Sequence, residues 1–171
     1  MSIGFTFSAC SLFYSILLTT VFFSKKRLAT LENKIYGVMI IANLIGIILA
    51  LLSYFFIGIN DVLPIANAIV SKSLIVYYLV YMVTFTAYIY VISNKVSFDN
   101  ISKKDITVAK IFGIFSSIVL FLILVLPLYY HNENNVIFSY GPSANVMYVV
   151  SGIAIFLWLI MMIKNYKEIK S

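Results

Sequence analysis

Apolar residues run through this chain in long unbroken blocks. They show neither the alternation of a half-buried strand nor the single stripe of a surface helix. Five blocks, at about 3–23, 35–57, 74–93, 111–130 and 147–163, contain no Asp, Glu, Lys, Arg or His. At 1.5 Å rise per residue, runs of about 17 to 23 residues match the ~30 Å hydrocarbon core of a bilayer, so each block predicts a transmembrane helix. A membrane β-barrel would instead show segments of about ten residues that alternate in character. No linker, low-complexity tract or internal repeat divides the chain. The pattern therefore predicts an all-α, polytopic membrane helical bundle forming a single domain over residues 1–171.

Polar punctuation refines the ends of these blocks. In LATLENKIYG, Leu28, Leu31 and Ile35 fall on one helical face, which predicts a short interfacial helix leading into the second span. Pro64 marks a break, with the third helix starting as early as Asn67. Pro127 is expected to kink or end the fourth span, and Gly141-Pro142 punctuates the approach to the fifth. The segment between, YYHNENNVIFSYGPSANVMY, is the most polar stretch and is expected to be an irregular loop.

Composition agrees: 63% of residues are hydrophobic and 11% charged, against roughly 45–50% and about 25% in a soluble domain. Charge then sets the orientation. Lys25, Lys26, Arg27 and Lys34 lie between the first two spans, and Lys95, Lys103, Lys104 and Lys110 between the third and fourth. Lys164, Lys167 and Lys170 follow the fifth, leaving Lys72 as the one basic residue on the other side. The positive-inside rule places the N-terminus outside and the C-terminus in the cytoplasm. The net charge of +6 is then orientation and contact with anionic lipid, and no nucleic-acid partner is expected. The positive charges follow the first span rather than precede it, so that span is expected to stay in the protein.

Small residues recur at helical spacing, with Gly4, Ser8, Ser11, Ser15 and Thr19 in the first span and Asn43, Gly46, Ala50 and Ser53 in the second. Such stripes let two backbones approach closely, so they are candidate helix-packing faces on which the first two helices could slide. Asn43 is the most polar side chain within any span, suited to a hydrogen bond between helices and also a candidate ligand contact. The third span carries Tyr77, Tyr78, Tyr81, Tyr88 and Tyr90, of which Tyr81 is nearest the middle, is expected to need an internal hydrogen-bond partner and is a candidate signal contact. The polar segment before the fifth span offers His131, Asn132 and Tyr140 as further candidate contacts for an external signal.

Catalytic chemistry is not expected. His131 is the single histidine and Cys10 the single cysteine, so neither a zinc site nor an internal disulfide is spelled out. Glu133 is the one acid near His131, and no GxSxG elbow or Gly-rich phosphate loop is present. The spans contain no ionisable relay of the kind that ion-coupled carriers use. No metal, cofactor or enzymatic activity is expected of these residues.

Two strings, SKKRLATLENKIYGVMIIANLIGIILALLSYF at 24–55 and FSYGPSANVMYVVSG at 138–152, resemble the membrane-embedded N-terminal sensor region of multi-pass sensor histidine kinases of Firmicutes. The resemblance implies a multi-pass protein of the bacterial cell membrane that passes an external or intramembrane signal to a cytoplasmic kinase. It also implies a homodimer. That kinase is not contained in these residues, and His131, predicted outside, does not match the family's cytoplasmic phosphorylated histidine. The competing expectation is a small non-catalytic membrane subunit or transporter component that acts through a partner protein.

Overall fold

The structure, a computed structural model, describes residues 3–26, 29–59, 63–133 and 136–164. Helices α1 (Ile3–Ser24), α2 (Leu31–Gly58), α3 (Pro64–Ser93) and α4 (Lys103–Val125) are followed by strands β1 (Tyr129–Glu133) and β2 (Val136–Tyr140) and by helix α5 (Pro142–Lys164). All five helices are long and apolar enough to cross a membrane. Their outward faces fit that medium, because Phe7, Phe13, Ile65 and Ile163 are each at least 75% exposed.

Helix ends are fixed by caps and prolines, so they do not coincide with the ends of the apolar blocks. The fourth helix covers 103–125 rather than 111–130. It starts early because Ser102 and Asp105 form a capping box, in which the Ser102 hydroxyl accepts from the Asp105 N–H while the Asp105 carboxylate accepts from the Ser102 N–H. It stops early because Leu126 precedes Pro127 and is driven into extended backbone, with ψ 146°. Helix α3 begins at Pro64, whose fixed φ suits a first helical position. The segment LATLENKIYG forms no separate interfacial helix among the described residues; Thr30 caps a single helix that runs from Leu31 through the second span. Arg27, Leu28, Lys167 and Lys170 lie outside the described residues.

The polar segment expected to be irregular is an antiparallel hairpin. Tyr129 pairs with Tyr140, His131 with Phe138 and Glu133 with Val136. Aromatic and β-branched residues suit such pairing. Gly141, at φ +115°, turns the chain from β2 into α5, a conformation that disfavours a side chain.

Helix α1 packs on α2, α2 packs on α3, and α3 also contacts α4 and α5. Contacts such as Ser15 with Asn43, Gly46 with Tyr77, and Tyr90 with Asp105 show that α1/α2, α2/α3 and α3/α4 each run antiparallel. Helices α3 and α5 run parallel, with Thr86 opposite Trp158. The tightest apolar packing is the cluster of Ile75, Leu79, Val119, Ile123 and Met147 where α3, α4 and α5 meet. This arrangement puts the hairpin at one end of the bundle. Among the described residues, Lys25, Lys26, Lys34, Lys95, Lys103, Lys104 and Lys164 gather toward the other end.

Candidate functional site

Four elements meet in a buried polar node at the hairpin end. Asn67 and Ser71 stand one turn apart on α3, both fully buried, and the Ser71 hydroxyl donates to Asn67 Oδ1 at 3.1 Å. Ser143, in the first turn of α5, is also fully buried and donates its hydroxyl to the Ile123 carbonyl at 3.0 Å. That bond has a specific cause. In a continuing helix the Ile123 carbonyl would take the N–H of residue 127, but Pro127 has none to give, so Ser143 supplies the donor. The Ser143 N–H donates in turn to the Pro127 carbonyl at 3.3 Å. Lys72 Nζ donates to the Leu124 carbonyl at 2.5 Å, placing a positive charge at the negative C-terminal end of α4.

The hairpin covers this node with one face and shows rings on the other. Tyr130 contacts Ser71; burial pushes its phenol above the ordinary value, and the Ser71 hydroxyl pulls it partly back. On the opposite face, the rings of Tyr129 and Tyr140 lie 5.6 Å apart, those of His131 and Phe138 4.9 Å, and those of Phe138 and Tyr140 6.0 Å. His131 and Tyr140 are thus brought onto one aromatic face. Asn132 sits beside them in β1, paired across the strands with Ile137.

Below the node, Tyr77, Tyr81 and Phe85 recur every four residues along α3 and stack in a column, with ring centroids 6.1 and 6.5 Å apart. Phe85 meets Trp158 of α5 edge-on at 4.6 Å, and Trp158 Nε1 donates to Thr86 Oγ1 at 2.9 Å. Beside this column, Tyr78, Tyr81, Met147, Tyr148, Ser151 and Trp158 line a groove of about 280 Å³. Tyr81 makes no hydrogen bond through its hydroxyl among the described residues, so the internal partner that its mid-span position calls for is not supplied there.

Asn43 stands apart from both regions. It lies midway along α2 and donates from Nδ2 to Ser15 Oγ at 3.2 Å, across the α1/α2 contact. Ser15 is 1% exposed and Ser53 is buried, while Ser8 and Ala50 are half-buried. Gly4 lies under the Tyr54 ring, whereas Gly46 faces Tyr77 of α3 and not α1. The five candidate contacts therefore fall in three places: Asn43 between α1 and α2, Tyr81 in the α3 column, and His131, Asn132 and Tyr140 in the hairpin.

Sequence reasoning did not single out Asn67, Ser71, Tyr130 and Ser143. The signal was available in Asn67 and Ser71, two polar residues four apart and so on one face of the helix. Among the described residues no three His, Cys, Asp or Glu side chains gather where they could hold a metal ion. What the node can do is hold or release a position, since its groups are neutral donors and acceptors plus one ammonium. Comparison with known proteins adds no relative: no family model, no curated protein and no solved structure matches this chain.

Proposed function

We propose that the chain is the membrane-embedded signal-input region of a sensor histidine kinase, with its N-terminus and hairpin outside and its Lys-rich end in the cytoplasm, facing the kinase. The gathering of lysines at the end away from the hairpin supports this orientation. The observation that carries the sensor reading is the spacing of three groups of side-chain contacts along α3. Tyr130 meets Ser71 under the hairpin, Tyr77, Tyr81 and Phe85 form a column that ends on Trp158, and toward the lysine-rich end the Tyr90 hydroxyl donates to Asp105 Oδ1 at 2.7 Å. A signal bound at the hairpin could move the far end by as much as its affinity differs between two arrangements of this column.

A second reading, a small non-catalytic subunit or transporter component, is favoured by the outward face of α4. There, Lys110, Gly113, Ile114, Ser117 and Phe121 line a groove, and a side chain at Gly113 would meet nothing within 4 Å among the described residues. Two small residues four positions apart, Gly113 and Ser117, on an open face suit docking of a partner helix.

The mass of the product in its native cell, followed with an antibody to residues 136–146, separates the two. A product far heavier than 19.3 kDa that carries a cytoplasmic kinase supports the sensor. A product of about that mass that purifies with a fixed partner supports the subunit.

A further inference from the structure

Lys25 follows the last turn of α1 and Lys34 lies in the first turn of α2, so two ammonium groups flank the end where these helices meet. Between the helices runs a groove of about 470 Å³, lined by Lys25, Asn33 and Lys34 and by Phe23, Val38 and Ile41. Its polarity is graded along the helix axes. The lysines and Asn33 stand at the bundle end, while Ile41 lies seven residues beyond Lys34, about 10 Å deeper at 1.5 Å per residue. Phe23, Val38 and Ile41 are 56%, 51% and 46% exposed, so their apolar wall faces outward.

Among the described residues the two cations are not neutralised locally. Lys34 Nζ sits 4.5 Å over the Phe98 ring, and among the described residues neither lysine pairs with a carboxylate. Glu32, the nearest acid in sequence, acts on Tyr88 of α3. A ring face holds an ammonium in place but gives it no acceptor oxygen.

We propose that this groove binds one anionic phospholipid, its phosphate between Lys25 and Lys34 and an acyl chain along Phe23, Val38 and Ile41. Charge complementarity selects the headgroup, because two unpaired ammonium groups at membrane-surface level attract an anionic lipid and repel the same face of a second copy. The apolar wall beneath selects a molecule that carries a hydrocarbon tail over a free phosphate. The inference rests on the bundle lying in a bilayer and not on the sensor reading, so either can fail alone.

The test is native mass spectrometry of the full chain released from membranes that hold equal phosphatidylglycerol and phosphatidylcholine. The wild-type chain retains one phosphatidylglycerol, preferred on the order of tenfold. Lys25→Gln with Lys34→Gln brings that preference to about one, and Val38→Trp, which fills the groove, releases the lipid with both lysines in place. Lys103→Gln with Lys104→Gln leaves retention unchanged. Equal retention of the two lipids by the wild-type chain overturns the proposal, as does an equal loss from the Lys103 and Lys104 changes or undiminished retention by Val38→Trp. Should the double variant fail to fold, Lys25→Gln alone, beyond the end of α1, carries the same comparison.

Discussion

The ring of Tyr77 occupies the space that a side chain at Gly46 would take. Helices α2 and α3 approach each other there with one residue contributing bulk and the other contributing none, the arrangement by which small residues let membrane helices pack closely. Gly46→Leu is expected to push the two helices apart and lower the melting temperature of the detergent-solubilised chain. Tyr77→Ala alone opens a gap, and the two changes together recover part of the loss. A double-mutant coupling of at least about 1 kcal/mol is expected for groups in such contact; strict additivity of the two losses would contradict the described packing.

Ser143→Ala removes the donor that Pro127 cannot provide and leaves the Ile123 carbonyl buried without that bond. A loss of about 1–3 kcal/mol is expected for an orphaned buried group. Ser143→Thr, which keeps the hydroxyl, should lose much less. Reversible unfolding in mixed detergent micelles measures both, and equal losses would place the cost in packing instead.

Lys95 ends α3 at φ 49°, with the Val96 N–H bonded to the Val91 carbonyl and the Lys95 N–H to the Ile92 carbonyl. This is a Schellman termination in which glycine is the favoured residue at the left-handed position. Lys95→Gly should therefore raise stability by about 1 kcal/mol. An unchanged or lower melting temperature would show that the lysine side chain contributes as much as its backbone costs.

Trp158 is the single tryptophan, and its indole N–H is held by Thr86. Its emission therefore reports on the α3/α5 contact directly. Thr86→Val should shift the emission maximum by removing the donor's partner. Tyr130→Ala in the hairpin should shift it as well if the α3 column moves as a unit; a spectrum that responds to the first change and ignores the second would leave the two ends uncoupled.

Removing Asn43 has a smaller expected effect. Asn43→Ala should cost roughly 0.6 kcal/mol, the usual size of a hydrogen bond between membrane helices. Because Ser15 is the acceptor, Ser15→Ala should add almost nothing to Asn43→Ala. Additive losses in thermal unfolding would mean that the two residues act separately.

The helices were legible in the sequence because stretches long and apolar enough to cross a membrane reveal themselves by composition alone. Their limits were less so. The SKKD string of Ser102 to Asp105 carries a capping signal outside the apolar block, and Pro127 acts on the residue before it. The hairpin was hidden for another reason: its Tyr, His and Asn residues read as a polar loop, and the alternation that half-buries Tyr130 while exposing Tyr129 and Tyr140 is too short to stand out. Asn43 could be matched to a bond between helices from its position within a span. The partners of Ser143 could not, since they depend on where α4 stops and how α5 returns.

Helix α3 contacts α2, α4 and α5, and this fixes an order of events during synthesis. When α3 leaves the ribosome, α2 is already in place to receive Tyr77, yet Ser71 and Thr86 must wait for their later partners, Tyr130 and Trp158. Thr86 finds Trp158 after most of α5 has emerged, and the Ile123 carbonyl stays without Ser143 until α5 begins. The nascent bundle is therefore an open trough whose last stave closes it, and truncation before Trp158 should leave a chain that inserts but is cleared by membrane proteases.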